Sequence, residues 1–276
     1  MDDGRVLADV IDHLVCPACG TAIHLADGSV RCARGHSFDV ARQGYVNMLT
    51  RPAGTADTPA MVAARARFLE AGHYAPLAAR LARLCEGAAV VADAGAGTGY
   101  YLAAALGDGA VGIALDVSKH ALKRAARAHP RIGAVVADVW RPIPVADDRV
   151  DVLLNVFAPR NAEEFARVLR PGGSLVVVTP GPGHLSPLVE RLGLLNVDED
   201  KDRRLDDTLG GRFTRISEET EEIALSLAHE EIEAVVGMGP SAWHTRPEEL
   251  AATIGALPDP VPVTASFHIT RWTAAS

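Results

Sequence analysis

No stretch of the 276-residue chain comes near the roughly 18 uninterrupted apolar residues that a membrane-spanning helix requires. The first 30 positions hold Asp, His and Cys where a signal peptide would carry an apolar run. These two absences give the expectation of a soluble, cytoplasmic protein with no membrane partner. Cysteine is scarce, and four residues in a chain of this size do not make a disulfide framework. Three of them, Cys16, Cys19 and Cys32, crowd near the N-terminus, which points to metal instead. Cys85 stands alone in an Ala/Leu-rich stretch and reads as a small buried hydrophobe. Internal repeats and low-complexity tracts are missing too, which sets solenoid and disordered architectures aside.

An overall basic charge is also absent. The formal charge of -8, taken whole, argues against a nucleic-acid partner, because neutralising phosphates needs a basic face. Its distribution changes that conclusion. Between Asp198 and Glu233 thirteen acids stand against five basic residues, so this one segment carries the whole excess. From Gly28 to Cys85 eight arginines (Arg31, Arg34, Arg42, Arg51, Arg65, Arg67, Arg80 and Arg83) stand against three acids. An anionic partner is therefore expected near the N-terminal third, although the arginines from 65 to 83 also suit the solvated faces of helices.

What is present is 48% apolar content, enough at this length for one α/β domain and a small appended module. Residues 1–50 are punctuated by Gly and Cys and alternate in short strand-like runs, as in a metal-stapled unit without a core of its own. A Pro-containing linker, Arg51 to Pro59, leads into two helical stretches separated by Gly72-His73-Tyr74. Residues 51–88 thus join that module to a domain over 89–276, where strand and helix alternate as in a parallel sheet. Strands are expected at Ala89–Asp93, Val111–Asp116, Gly133–Asp138, Val150–Phe157 and Ser174–Pro180. A last helix near Pro247–Ile254 precedes a closing strand at Val261–Trp272. The first half of the acidic segment shows no decisive pattern.

Cys16-Pro-Ala-Cys19-Gly20 and Cys32-Ala-Arg-Gly-His36 together read C-x2-C-x12-C-x3-H, a donor set suited to tetrahedral zinc. With Cys16, Cys19, Cys32 and His36 filling all four positions, the zinc would be structural. His24 competes as the fourth ligand. Further on, Val90-Val-Ala-Asp93-Ala-Gly95-Ala-Gly97-Thr98-Gly99-Tyr100 runs from an apolar strand through a glycine turn into a helix. Its G-x-G-x-G spacing is not the G-x-G-x-x-G of dinucleotide-binding folds. Asp116 ends the next strand, where a carboxylate accepts ribose hydroxyls; Asp138 ends the third, placed to meet an adenine amino group. Each carboxylate also suits a helix cap or a loop. Leu169-Arg-Pro-Gly-Gly173 precedes the apolar SLVVVTP.

This set resembles the class I methyltransferase fold from about Ala60 to Trp272, an α/β, Rossmann-like, mostly parallel seven-stranded sheet, here with a small N-terminal zinc-binding module. The cofactor so implied is S-adenosylmethionine, held by Asp93, Gly95, Gly97, Thr98, Gly99, Asp116 and Asp138. Asn155-Val-Phe157-Ala-Pro159 departs from the Asn/Asp-Pro-Pro-aromatic of base-amino methyltransferases, against an exocyclic amine as the acceptor. Phe157 or Tyr100 suits stacking on an extruded base, and an aromatic at a strand end also suits the core.

Three longer motifs extend the likeness: Gly35-His36-Ser-Phe38-Asp39-Val-Ala-Arg-Gln-Gly44-Tyr45-Val-Asn47-Met-Leu49, Arg67-Phe-Leu-Glu-Ala-Gly72-His73-Tyr74, and Pro180-Gly-Pro-Gly-His184-Leu185. Nearly end to end, the chain resembles the bacterial 23S rRNA guanine-N1-methyltransferases, including the tylosin- and mycinamicin-resistance enzymes of actinomycetes. The resemblance implies a 23S rRNA partner, a zinc module that helps form the RNA cleft, a possible homodimer, and a target guanine in a hairpin lining the peptide exit tunnel. It places Tyr74 and His184, with Gly97 and Thr98, at the cofactor. Asp39, Asn155 and His184 are candidates for handling the guanine N1 proton, Asp39 equally as a turn former, and Trp243 is a candidate wall of the pocket or core residue. Two readings compete: a small-molecule methyltransferase of antibiotic biosynthesis, and a non-catalytic RNA-binding protein.

Overall fold

The computed structural model describes residues 5–193, 201–239 and 247–275. The N-terminal part runs α1 (Arg5–Val10), β1 (Ile23–Ala26), β2 (Ser29–Cys32), β3 (Ser37–Asp39) and β4 (Tyr45–Asn47). Strands β1 to β3 form a small antiparallel sheet. The joining segment leads to α2 (Pro59–Glu70) and α3 (Ala75–Leu84). Helix α2 begins where the sequence offers a cap: Thr58 Oγ1 accepts the Met61 N–H at 3.2 Å, and Pro59, which lacks an N–H, takes a first-turn position.

The alternating part follows as β5 (Val90–Ala94), α4 (Tyr100–Ala105), β6 (Val111–Asp116), α5 (Lys119–Ala128), β7 (Ile132–Val136), β8 (Val150–Val156), α6 (Ala162–Val168) and β9 (Leu169–Pro180). Beyond it come α7 (Ser186–Leu192), α8 (Lys201–Leu209), β10 (Phe213–Leu227), α9 (His229–Gly237), α10 (Pro247–Gly255) and β11 (Val261–Ala274). The large sheet has the order β10-β11-β9-β8-β5-β6-β7-β4. Its strands from β9 to β4 are parallel, and β10 and β11 pair antiparallel at one end.

The resemblance implies seven strands, and the sheet has eight. The additional strand is β4, whose Tyr45, Val46 and Asn47 lie in parallel register with Ala134, Val135 and Val136 of β7. Its three residues are too few to show a period, so only the tertiary pairing reveals it. The other departure lies in the acidic segment: β10 pairs with β11 from Phe213↔Ala274 to Leu227↔Val261, with a bulge at Arg215/Ser217. Charged residues such as Glu218 and Glu222 hide this strand from a hydropathy pattern, yet they suit a sheet edge, where charge discourages pairing with other chains.

Successive residues of the central strands feed two apolar layers, one on each face. Val91, Ala114, Leu154 and Val176 join one cluster with α2, α3, α4 and α9. Val90, Ile113, Leu153 and Leu175 join the other, which also takes in Leu7, Val10, Leu14, Val30 and Val46. The N-terminal residues therefore bury their apolar side chains on the back of the large sheet. Contact is close: a Cβ at Gly133 of β7 would lie 2.1 Å from Val10 Cγ2. Cys85 is 2% exposed in the first cluster, as a small hydrophobe. Among the described residues no helix is long and apolar enough to cross a membrane.

Candidate active site and metal centre

Two tight turns build the metal centre. In the first, the Cys19 and Gly20 amides donate to Cys16 O at 3.2 and 2.7 Å, and Gly20 takes the left-handed conformation at φ 71° that this turn requires. In the second, the Gly35 amide donates to Cys32 O at 3.1 Å, and the Cys32 amide donates to His36 O at 3.0 Å. The turns bring one donor atom each from Cys16, Cys19, Cys32 and His36 within 4.8 Å of one another. Zn–S bonds of about 2.3 Å in a tetrahedron set neighbouring sulfurs about 3.8 Å apart. The Cys19 and Cys32 sulfurs lie 3.8 Å apart. His36 turns Nδ1 to the Cys32 and Cys16 sulfurs at 3.3 and 3.5 Å. Three thiols and one imidazole at these separations fit zinc and leave no position for substrate, so the ion is structural. His24, the competing ligand, is exposed on β1 opposite Arg31, outside the cluster.

The second centre lies at the carboxyl ends of β5, β6 and β8. Chain order reverses between β5 and β8, the position at which open α/β sheets leave a crevice for ligands. A cavity of about 630 Å³ occupies it, a size typical of ligand sites. The glycine turn lines one side, and Tyr74 and His184 line another. Its three glycines do different jobs. A Cβ at Gly95 (φ 91°) would stand 2.3 Å from Ala158 Cβ, so Gly95 admits the segment after β8. At Gly99 (φ 79°) it would meet Ala125 Cα of α5 at 2.9 Å. Gly97 (φ 53°) lines the cavity opposite Arg65, whose Nη1 would lie 3.4 Å from a Cβ there.

Asp116 ties this turn to the next strand. Its Oδ2 accepts the Gly97 N–H at 2.9 Å and its Oδ1 the Ser118 N–H at 2.7 Å. Burial raises its pKa, and those two amide bonds oppose the rise. Across the cavity, His184 Nδ1 lies 2.8 Å from Ser266 O, and Nε2 lies 3.4 Å from the Tyr74 hydroxyl. Since a carbonyl only accepts, Nδ1 bears a proton directed at Ser266 O.

Asp93 lies behind the glycine turn, 1% exposed, with Oδ1 lacking a hydrogen-bond partner. Burial, with the charge of Asp116 beside it, pushes its pKa from 3.8 up to about 8. Folding therefore takes up a proton here between those two values. The stability this group contributes is complete below 3.8 and is lost as pH rises through about 8. Asp93→Asn cannot ionise and is expected to flatten the fall in stability between pH ~5 and ~8, read from urea unfolding midpoints. A variant whose midpoints decline as steeply as those of the wild type would refute this assignment.

The structure gathers Tyr74, Gly95, Gly97, Thr98, Asp116 and His184 around one cavity. It sets others apart. The Asp138 carboxylate is outside the lining; its Oδ1 accepts the Trp140 N–H at 3.0 Å, and Arg141 Nε lies 3.4 Å from Oδ2. Asp39 belongs to β3 of the small sheet and accepts from Ser29 Oγ at 3.2 Å. Asn155 is fully buried, and its Nδ2 donates to Ala94 O at 2.9 Å and Pro159 O at 2.8 Å. An amide so used moves no proton; it pins the segment carrying Phe157, whose backbone is left-handed at φ 54° and whose side chain is 42% exposed at the cavity. Trp243 lies outside the described residues.

Sequence reasoning missed Asp57. This linker residue lines the cavity, forms an ion pair with Arg65 and, through its carbonyl, accepts from Ser118 Oγ at 3.0 Å. Arg65 also donates to Met238 O at 2.9 Å, so the linker and the end of α9 close one wall together. The signal was a single acid in a polar linker, with no periodicity to mark it. The arginine-rich region is also partly neutralised within the fold, since Arg80 binds Glu219 of β10 with contacts of 2.8 and 2.6 Å.

Comparison with known proteins adds two matching families: the RlmA N-terminal zinc ribbon over residues 14–52 and a methyltransferase domain over residues 91–173. A Micromonospora griseorubida protein named among the 23S rRNA (guanine-N1)-methyltransferases is 51% identical over 289 aligned positions, covering 96% of this chain and 98% of its own. The 23S rRNA (guanine(748)-N(1))-methyltransferase of Streptomyces fradiae is 49% identical, with coverage of 95% and 97%. A Bacillus subtilis protein named for the same class is 32% identical, covering 83% and 86%. Among solved structures, a chain from the complex of the Haloferax volcanii Trm112 methyltransferase activator with a methyltransferase superposes with a TM-score of 0.50 at 22% identity, covering 81% of this chain and all of that one. That likeness speaks to fold alone.

Proposed function

Given that this chain belongs to the family of 23S rRNA (guanine-N1)-methyltransferases, we propose that it transfers a methyl group from S-adenosylmethionine to N1 of a guanine in a 23S rRNA hairpin near the peptide exit tunnel. One observation carries the reading: a cavity bounded by Gly97, Asp116, Tyr74 and His184 at the reversal point of the sheet. The glycine turn in the wall, the half-buried strand-end carboxylate and the aromatic side suit an adenosyl group with an amino-acid tail. Bound there, S-adenosylmethionine supplies an activated methyl group on a sulfonium, which leaves orientation, water exclusion and removal of the N1 proton to the protein.

The residues divide this work. Asp116 fixes the Gly97 amide, and with it the turn facing the cofactor. Phe157, held by Asn155 in a conformation that non-glycine residues avoid, presents its ring at the cavity as a stacking surface for a base drawn out of its helix. Of the three candidates for the proton, His184 alone lines the cavity, and its Nε2 is the acceptor we assign. The Tyr74 hydroxyl, at the long end of hydrogen-bonding range from that nitrogen, lines the same wall of the cavity. The zinc-held strands, with Arg31 and Arg34 on their surface, act as an RNA-recognition module. Methylated ribosomes would then resist macrolides of the tylosin and mycinamicin type.

The test is transfer of labelled methyl from S-adenosylmethionine to an unmodified hairpin transcript, with primer extension to locate the product, because a methyl on N1 blocks base pairing. Free macrolide in place of RNA should stay unlabelled; labelling of the drug and not the RNA would defeat the proposal. His184→Asn is expected to lower kcat about 100-fold or more and to flatten its pH profile. Phe157→Ala is expected to raise KM for RNA while leaving the Kd for S-adenosylmethionine within about twofold. Equal loss of cofactor and RNA affinity in the Phe157 variant would count against the stacking role.

A further inference from the structure

A groove separate from the cavity runs between α2 and α5, and the two share Leu69, Thr98 and Tyr100 in their walls. One wall is basic. His120, Lys123, Arg124 and Arg127 line it at helical spacings of three and four, which puts them on one face of α5 along about 10 Å of helix. The opposite face of α5 is buried through Ala121, Leu122 and Ala125. The other wall is mostly small and apolar, from Val62 and Ala66 of α2 and Ala103 of α4, with Glu70 at the end of α2.

Charge singles this groove out. From Val117 to Ala137 there are five Lys or Arg and no Asp or Glu, in a chain whose net charge is -8, and two of its three lysines stand here. Among the described residues partial neutralisation comes from one contact, Arg124 with Glu70 at 3.8 Å, both side chains largely exposed. Arg65 and Arg80, by contrast, are held in ion pairs within the fold. A solvated helix face needs no apolar wall opposite, nor continuity with a ligand cavity. A single RNA strand needs both, because its phosphates seek the basic side and its bases an apolar or aromatic one.

We propose that this groove carries the single-stranded nucleotides flanking the target base, with backbone phosphates on Lys123, Arg124 and Arg127 and a neighbouring base against Tyr100 where the groove meets the cavity. The proposal rests on the functional reading above and adds the path by which RNA enters. A double-stranded stem or an acidic protein would use the charge but leave the apolar wall and Tyr100 without a part.

The experiment uses full-length, zinc-loaded protein and the hairpin transcript. Lys123→Ala/Arg124→Ala/Arg127→Ala is expected to weaken RNA binding about 30-fold or more at 0.1 M salt. The slope of log K against log salt should fall by about 2, at about 0.7 per single-strand phosphate contact. Binding of S-adenosylmethionine and the melting temperature should stay unchanged, and Arg83→Ala, on α3, should leave the salt slope as it is. Should the triple variant misfold, amine-reactive footprinting of the wild type reads the same surface: RNA should protect Lys123, which lines the groove, more than Lys119, which does not. Wild-type affinity and slope in a folded triple variant, or equal labelling of Lys123 with and without RNA, overturns the groove alone. Failure of the wild type to bind and methylate the hairpin overturns the functional reading and the groove with it.

Discussion

Asp116→Ala is expected to weaken S-adenosylmethionine binding by two to three orders of magnitude while one zinc per chain is retained. The carboxylate holds two backbone amides, Gly97 at 2.9 Å and Ser118 at 2.7 Å, from a half-buried position in the cavity wall. Hydrogen bonds to a charged partner contribute about 1.5–3 kcal/mol each, and an amide left unpaired by truncation adds its own desolvation cost. Two such losses, partly relieved by water entering the cavity, correspond to about 3–4 kcal/mol, and each 1.4 kcal/mol is tenfold in affinity. The methyl group of alanine also frees Gly97 to leave φ 53°, so the turn loses the shape that meets the ligand. Asp116→Asn retains one acceptor oxygen and should fall between the two. Titration calorimetry with S-adenosylmethionine measures the effect, and metal analysis checks the zinc. A variant that binds within tenfold of the wild type would remove Asp116 from the site.

Cys32→Ser is expected to release the zinc, lower the melting temperature by about 10 °C or more in a single transition, and abolish RNA methylation. Structural zinc supplies about 10–16 kcal/mol to the folding of small modules, comparable to the whole stability of a typical domain. The strands it staples are three or four residues long and cannot persist without it. The consequence spreads because Leu7, Val10, Val30 and Val46 share one apolar cluster with Ile113, Val135 and Leu175 of the large sheet. Strand β4 also covers the edge of β7. Losing the ion therefore uncovers that face of the sheet as well as the hairpins. At about 2–4 °C per kcal/mol for a domain of this size, partial exposure of the layer reaches the stated shift. Calorimetry and metal analysis on one preparation test it; a zinc-free variant with wild-type melting and RNA methylation would overturn the assigned role.

The metal donors and the glycine turn were legible because each is local. Cysteines at x2 spacing can reach one ion whatever surrounds them, and a strand followed by alternating glycines presents its backbone whatever packs behind it. Asp116 was legible for a related reason: it ends a clear apolar strand, and strand ends in parallel sheets face the ligand. Asp138 shows where that logic stops. Its strand-end position is as clear, yet its carboxylate serves the Trp140 amide and Arg141, a choice made by the loop that follows.

Asp57, Arg65 and Met238 come from the linker, α2 and the end of α9, and they meet only because α9 packs against α2. Asn155 reads in sequence as a candidate for chemistry; burial against Ala94 and Pro159 makes it a clamp. The charge of the acidic segment was visible, but its use was not, since pairing β10 with β11 is what carries Glu219 to Arg80. Short-range geometry, the spacing of cysteines, glycines and apolar runs, was thus set by the amino-acid order itself, because the atoms concerned lie within a few bonds or one turn of each other. Which strand-end acid faces the cavity, which linker residue walls it, and which basic helix face lines a groove were decided only on folding, because each depends on contacts between residues dozens of positions apart.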